Sequence, residues 1–249
     1  MTEPAPRHRL FVDADLAAGS QVWVTEQQAH YLLHVMRLGL GAEIALFNGR
    51  DGEWRAKLAE TGKKKACLTA IEQLRPQAAE PDLWLLFAAV KRDRIDLIVE
   101  KATELGASVL QPVFTERTVI SRVNEDRLAA IAMEAAEQCE RLTVPSLRTP
   151  LSLTAVLAKW PEGRVLMIMD ESGAGKPIAE TLAELPTVPA ALLVGPEGGF
   201  TKSELDALSR LPFAVRVGLG PRILRADTAV IAALSCYQAI RGDWRVPSF

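Results

Sequence analysis

The chain has 249 residues, 49% hydrophobic and 24% charged, with a formal net charge of −2. This is the composition of a folded globular protein with room for one large domain or two smaller ones, and it excludes an overall basic nucleic-acid binder: any RNA site has to be a local patch. No apolar run approaches the ~20 residues of a membrane span, and MTEPAPRHRLFVDADL places acids and prolines where a signal peptide is continuously apolar, so a cytoplasmic protein without membrane contact is expected.

Through residue 75 the pattern is short. QVWVT, AEIALFNG, GEWRAKLAE and KACLTAIEQL alternate apolar with polar residues and are separated by turns such as NGRDG and TGKKK. A small β-barrel or curled sheet is predicted, with one helical insert over about Glu26–Met36 that aligns Ala29, Leu32, Leu33 and Met36. Its basic candidates for RNA are Arg7, Arg9 and the run Lys63, Lys64, Lys65. RPQAAEPD, with two prolines and no periodicity, divides the chain into a domain of residues 1–75, a linker of 76–82 and a domain of 83–249.

Beyond the linker, strands and helices alternate. LWLLFAAV, SVLQPVF, RVLMIMD, AALLVG and FAVRVG read as strands. Helices are predicted near Ile95–Leu105, Glu125–Cys139, Leu153–Trp160, Ile178–Glu184, Ser203–Arg210 and Thr228–Arg241. Gly106 would cap the first of them, and Lys91, Arg92 and Arg94 form a further basic group near its start. The fold class is therefore α/β, a parallel sheet with helices on both faces and ligands bound beyond the carboxyl ends of its strands. Cys67, Cys139 and Cys236 have neither CxxC spacing nor clustered histidines, so no metal or disulfide framework is expected.

Three of these strands run into unusual loops: ESGAGKP, PEGGFT and LGPRILRADT. The first fails the GxxxxGK[ST] pattern at Asp170 and Pro177, and GLGPRI ends in Ile223 where a dinucleotide fingerprint needs Gly. Gly195, Gly198 and Gly199 let a ligand approach the main chain, Thr201 and Glu204 form a capping box for the next helix, and Asp227 or Thr228 can cap the last one.

LLVGPEGGFTKSE together with VGLGPRILRADTA resembles the RsmE family of ribosomal RNA methyltransferases in the SPOUT superfamily. HYLLHVMRLGLGAEIALFNG, VFTERTVI and AAEQCERLTVPSL extend the resemblance over nearly the whole chain, and Asp227 stands where relatives commonly carry Glu. It implies a C-terminal SPOUT-type, trefoil-knotted α/β methyltransferase domain after a small PUA-like barrel, a homodimer, and S-adenosylmethionine-dependent methylation of a uridine N3 in small-subunit (16S) rRNA, within an assembled or late-assembling 30S subunit. By position, Met169, Leu193, Gly195, Gly199, Leu219, Gly220, Leu224 and Ala226 would bind the cofactor, and Arg117, Glu137, Gln138 and Arg141 would line an RNA groove.

On that reading Arg225 is the candidate cation for the charge spread over the uracil carbonyls, and Glu197 or Asp227 the proton acceptor or its organiser. Cys139 raises C5 chemistry as a rival, but the stripe Leu128, Ile131, Ala135, Cys139 puts its thiol on an apolar face. Two alternatives stay open: methylation of a ribose 2′-oxygen, and a noncatalytic RNA-binding assembly factor.

Overall fold

The computed structural model describes residues 4–245. It has two compact units. The first runs through Ala79 and takes in Ala136–Val144; the second comprises Glu80–Ala135 and the chain from Pro145 onward. The segment Ala136–Val144, which the sequence pattern assigns to the second domain, is thus part of the first unit.

The first unit contains β1 (Arg9–Phe11), β2 (Gln21–Trp23), α1 (Glu26–His30), β3 (Glu43–Phe47), β4 (Glu53–Thr61) and β5 (Ala66–Arg75). They form one sheet in the order β1-β3-β4-β5-β2, in which β1 and β3 are parallel and the other pairs antiparallel. Alternation sets the core: Leu10, Val22, Ile44, Leu46, Ala56, Leu58 and Leu68 face inward and are buried together with Ala29 and Leu32. A Thr25–Gln28 capping box starts α1, which then widens into a π turn over Tyr31–Val35.

Arg9 is placed otherwise than the RNA reading expects. Its guanidinium is buried, donating to Glu53 at 2.5 Å and to the carbonyls of Ala136, Glu137 and Arg141 at 2.8, 2.9 and 2.7 Å, and it lies over the Phe47 ring. Arg75 donates to the other oxygen of Glu53 and to the Glu140 carbonyl, and the Glu137 carboxylate accepts the Phe11 N–H. Arg9 and Glu137 therefore belong to an internal network: a charge this buried is stable only with its partners in place, and is withheld from RNA. Burial pushes the Glu53 carboxyl up, but the hydrogen bonds from Arg75 and Arg9 outweigh it and hold the group below the ordinary glutamate range.

The second unit contains β6 (Leu83–Ala88), α2 (Arg92–Glu104), β7 (Val109–Phe114), most of α3 (Glu125–Gln138), β8 (Ser146–Leu147), β9 (Leu151–Ser152), α4 (Leu153–Leu157), β10 (Val165–Met169), β11 (Lys176–Pro177), α5 (Ile178–Glu184), β12 (Ala190–Val194), α6 (Lys202–Leu208), β13 (Ala214–Gly218) and α7 (Ala226–Ile240). The sheet order is β11-β13-β10-β12-β6-β7-β8, with β9 beside β7, and every pairing is parallel. Continuous apolar strands follow from burial on both faces; all five residues of β12 are buried. Near the strand starts Trp160 stacks on Phe213 and meets Trp84 edge-on, with the Arg148 and Arg164 guanidiniums against the Trp84 ring. The carboxyl ends carry the glycine loops.

Three local expectations change. α7 begins at Ala226 with Arg225 at its N-cap, so Asp227 and Thr228 lie inside the first turn and neither caps the helix; the Asp227 carboxylate instead accepts the Thr228 N–H. Cys139 falls one residue beyond α3 and is half-buried. The apolar helix TAVIAALSCYQAI, expected to offer Val230, Ile231, Leu234, Tyr237 and Ile240 to a second copy, instead buries Val230, Leu234 and Tyr237 in this unit, leaving Ile231 exposed and Ile240 half-buried.

Candidate active site

β13, β10 and β12 are neighbours in the sheet, so their three loops emerge side by side. They enclose a cavity of about 540 Å³, a size suited to a small-molecule ligand. The β10 loop contributes Met169, Asp170 and Glu171, the β12 loop Gly195, Glu197 and Gly199, and the β13 loop Leu219, Gly220, Arg222 and Leu224, with Ala226 and Ala229 of α7 completing the wall.

Three lining glycines, Gly173, Gly199 and Gly220, have a left-handed backbone that favours glycine. Gly199 has φ +66°, and a Cβ there would collide with the Glu171 carboxylate. Gly220 has φ +98°, and an added Cβ would meet no atom within 4 Å. Its main chain is exposed to a ligand without any side chain in the way.

The walls are fixed by polar contacts within the unit. Asp170 is fully buried at its side chain and binds Arg216 at 2.6 Å and the Ser172 N–H at 2.9 Å. Burial pushes its carboxyl up, yet the Ser172 and Arg216 hydrogen bonds prevail and hold it below the ordinary aspartate range. The β12 loop is tied down from outside. Arg117 donates to the Gly198 carbonyl at 2.6 Å, and Glu204 accepts from the Thr201 N–H as part of the capping box and from the Glu116 N–H. Arg94, in the first turn of α2, sits between Glu197 and Asp227 at 3.7 and 4.0 Å.

Of the cofactor candidates, Met169, Gly195, Gly199, Leu219, Gly220, Leu224 and Ala226 line the cavity. Leu193 does not: its side chain is buried in the core between sheet and helices, with Leu166, Ile168 and Phe200. Glu197 is on the wall, whereas Arg225 and Asp227 are not among the lining residues. The Arg225 side chain is exposed at the rim, with no hydrogen-bond or ion-pair partner among the described residues. Arg7, Lys63, Lys64, Lys65 and Gln138 are exposed, Lys64 pairing with Glu26, and Arg141 is half-buried. Glu171 and Arg94 escaped the sequence reading as site residues. Asp170 was visible there only as a mismatch to a phosphate-loop pattern, and Arg94 only as one member of a basic group. No cluster of three metal-binding side chains occurs among the described residues, and no helix there is long and apolar enough to cross a membrane.

Fold and cavity together define an RNA methyltransferase: residues 78–238 match the RNA methyltransferase domain model, and residues 24–71 match the RNA methyltransferase PUA domain. The ribosomal RNA small subunit methyltransferase E of Rickettsia conorii is 32% identical over 92% of this chain and 93% of its own length; that of Synechocystis is 33% identical over 94% and 78%. Among solved structures, the Neisseria gonorrhoeae ribosomal RNA small subunit methyltransferase E bound to S-adenosyl methionine matches with a TM-score of 0.86 and 28% identity, covering 95% of this chain and 99% of that one. A Legionella pneumophila methyltransferase in complex with the same cofactor matches at 0.83 and 28%, covering 94% and 98%. The chain belongs to the ribosomal RNA small subunit methyltransferase E family.

Proposed function

We propose that the chain transfers a methyl group from S-adenosylmethionine to N3 of a uridine in small-subunit (16S) ribosomal RNA, in the cytoplasm, as a homodimer, with the 30S particle as substrate. The observation that carries the reading is the cavity itself: glycine main chain at adjacent strand ends, three wall carboxylates, and an unengaged arginine at the rim. The names of the relatives point to the substrate and the bound ligand of the Neisseria structure to the cofactor.

The residues present fit that cofactor. Met169, Gly195, Gly199, Leu219, Gly220, Leu224 and Ala226 would hold it largely through main chain and apolar contact, and Glu171 and Glu197 set negative charge on the wall facing a cationic ligand. When bound, the cofactor supplies an electrophilic methyl on a sulfonium. The chain must then make N3 a nucleophile. Glu197, which lines the cavity, would accept the N3 proton, and Asp227, engaged with the Thr228 N–H, would organise it. Arg225 answers the charge that spreads onto the two flanking carbonyls, a planar anion that a guanidinium engages well. Cys139 takes no part. Arg7, Lys63 to Lys65, Arg117, Gln138 and Arg141 are the basic and polar groups offered to RNA, and Ile231 with the apolar Ile223 is offered to a second copy.

Nucleoside mass spectrometry with primer extension on treated 30S particles tests the product. N3-methyluridine blocks the Watson–Crick edge and stalls reverse transcriptase. A 2′-O-methyl nucleoside would replace this reading with the ribose alternative, and no modified nucleoside would favour an assembly factor. Light scattering of the same preparation at micromolar concentration should give twice the chain mass; a monomer overturns the dimer.

Cofactor affinity gives a second expected result. Gly220→Val is expected to weaken S-adenosylmethionine binding about tenfold or more by calorimetry, because the new side chain enters the ligand's space, while the positive φ costs about 1–2 kcal/mol of stability. Parent affinity in a folded Gly220→Val protein would remove the β13 loop from the site.

A further inference from the structure

Arg94 occupies an unfavourable place. It lies in the first turn of α2, where the helix dipole favours acids, and the Lys91 N-cap supplies no side-chain hydrogen bond. Its Nη1 is buried and has no hydrogen-bond partner, although a buried guanidinium N–H without an acceptor is costly. The two carboxylates nearest it belong to different elements, the β12 loop and the first turn of α7. Glu197 Oε1, in the β12 loop, is 3.7 Å from Nε, and Asp227 Oδ1, just beyond the β13 loop, is 4.0 Å from Nη1. Both separations suffice for ionic attraction and both exceed a hydrogen bond. A small inward movement of the α7 start would bond Asp227 to Nη1 and satisfy the orphan N–H, and one of the β12 loop would bond Glu197 to Nε. The fixed fork of a guanidinium offers Nε to one acid and Nη1 to the other at once.

We infer that Arg94 is a positioning residue that latches the β12 loop, through Glu197, to the first turn of α7, through Asp227, closing the cavity around its occupant. The inference rests on the reading of that cavity as the S-adenosylmethionine site. Arg94 is distinct in role from Arg225: its charge is already committed to two acids of this chain, whereas Arg225 has no such partner among the described residues. Because Asp227 does not line the cavity, its influence on cofactor affinity is indirect and travels through the latch.

Calorimetry with S-adenosylmethionine on Arg94→Gln, Asp227→Asn and the double variant supplies the first test. Each single change is expected to weaken binding about fivefold to tenfold, and the double change no more than about twofold further, since both open one latch. Arg94→Lys keeps the charge but lacks the rigid fork whose Nε and Nη1 face the two acids separately, and should recover only part of the loss. Losses that multiply in the double variant, an Arg94→Gln affinity within twofold of the parent, or full recovery by lysine would overturn the inference.

The second test uses the cofactor-free protein, so that it stands apart from the proposed function. In Arg94→Gln, amide hydrogen exchange should quicken at least about threefold in residues 195–200 and 226–229 and stay unchanged in α5. Unchanged exchange in both segments, or uniform quickening throughout, would sink the latch. Absence of any S-adenosylmethionine binding by the parent protein would instead refute the cofactor reading and leave the exchange result to decide the latch.

Discussion

Arg225→Ala is expected to lower kcat about 10²–10³-fold, the usual cost of removing one preorganised group from a developing oxyanion, while changing S-adenosylmethionine affinity by less than about threefold. The split follows from position. Leu224 and Ala226 on either side of Arg225 line the cavity, so the backbone here belongs to the cofactor wall. The Arg225 side chain projects from the N-cap of α7 to the rim, and no carboxylate among the described residues consumes its charge. Its loss removes an interaction made with the substrate anion in the transition state, which appears in kcat and kcat/KM alike. Single-turnover methylation measured beside calorimetry separates the terms. Parent-rate methylation by the alanine variant, or a loss confined to cofactor binding, would require a different cation for the uracil.

The second large effect is on stability. Glu53→Gln is expected to cost about 3–5 kcal/mol, the range for breaking a buried ion pair from one side. Glu53 stands between Arg9 and Arg75 with its side chain 5% exposed, and Arg9 is 6% exposed, so a neutral amide leaves a buried guanidinium without its counter-charge. The pH dependence has a definite sign. The Glu53 carboxyl is depressed in the folded state, so its contribution is complete above the unfolded glutamate value of about 4.3 and is lost as pH falls through the lower folded value. The gap in denaturant midpoint between parent and Glu53→Gln should be full at neutral pH and narrow below about pH 4. A gap under about 1 kcal/mol at pH 7 would show that solvent replaces the carboxylate.

What the sequence disclosed, and what it hid, follows from the range of the forces involved. Strands such as AALLV and VLMIM announce themselves because burial on both faces demands continuous apolar residues, and the T-x-x-E capping box is local enough to read directly. The cavity walls were legible for the same reason, as glycines clustered at strand ends. Residues whose roles depend on distant partners were not. Arg9 has the same identity as an RNA-binding arginine, and only contacts with residues more than a hundred positions away reveal it as internal. Leu193 lies beside Val194, a lining residue, but alternation turns it into the core. Arg94 looked like one of three surface cations until the fold set it between an acid of the β12 loop and one in the first turn of α7.

The return of Ala136–Val144 to the first unit imposes an order on biosynthesis. Chains emerge amino end first at about 5–20 residues per second, so roughly 3–14 s separate the appearance of Arg75 from that of Val144. For most of that interval Arg9 and Arg75 lack the carbonyls of Ala136, Glu137, Glu140 and Arg141 that receive them in the finished protein. The five strands of the amino-terminal sheet are all made by Arg75, but the acceptors of its two arginines follow only after β6, α2, β7 and most of α3, and a nascent chain stalled before Ala136 exposes a half-satisfied arginine cluster to chaperones and proteases.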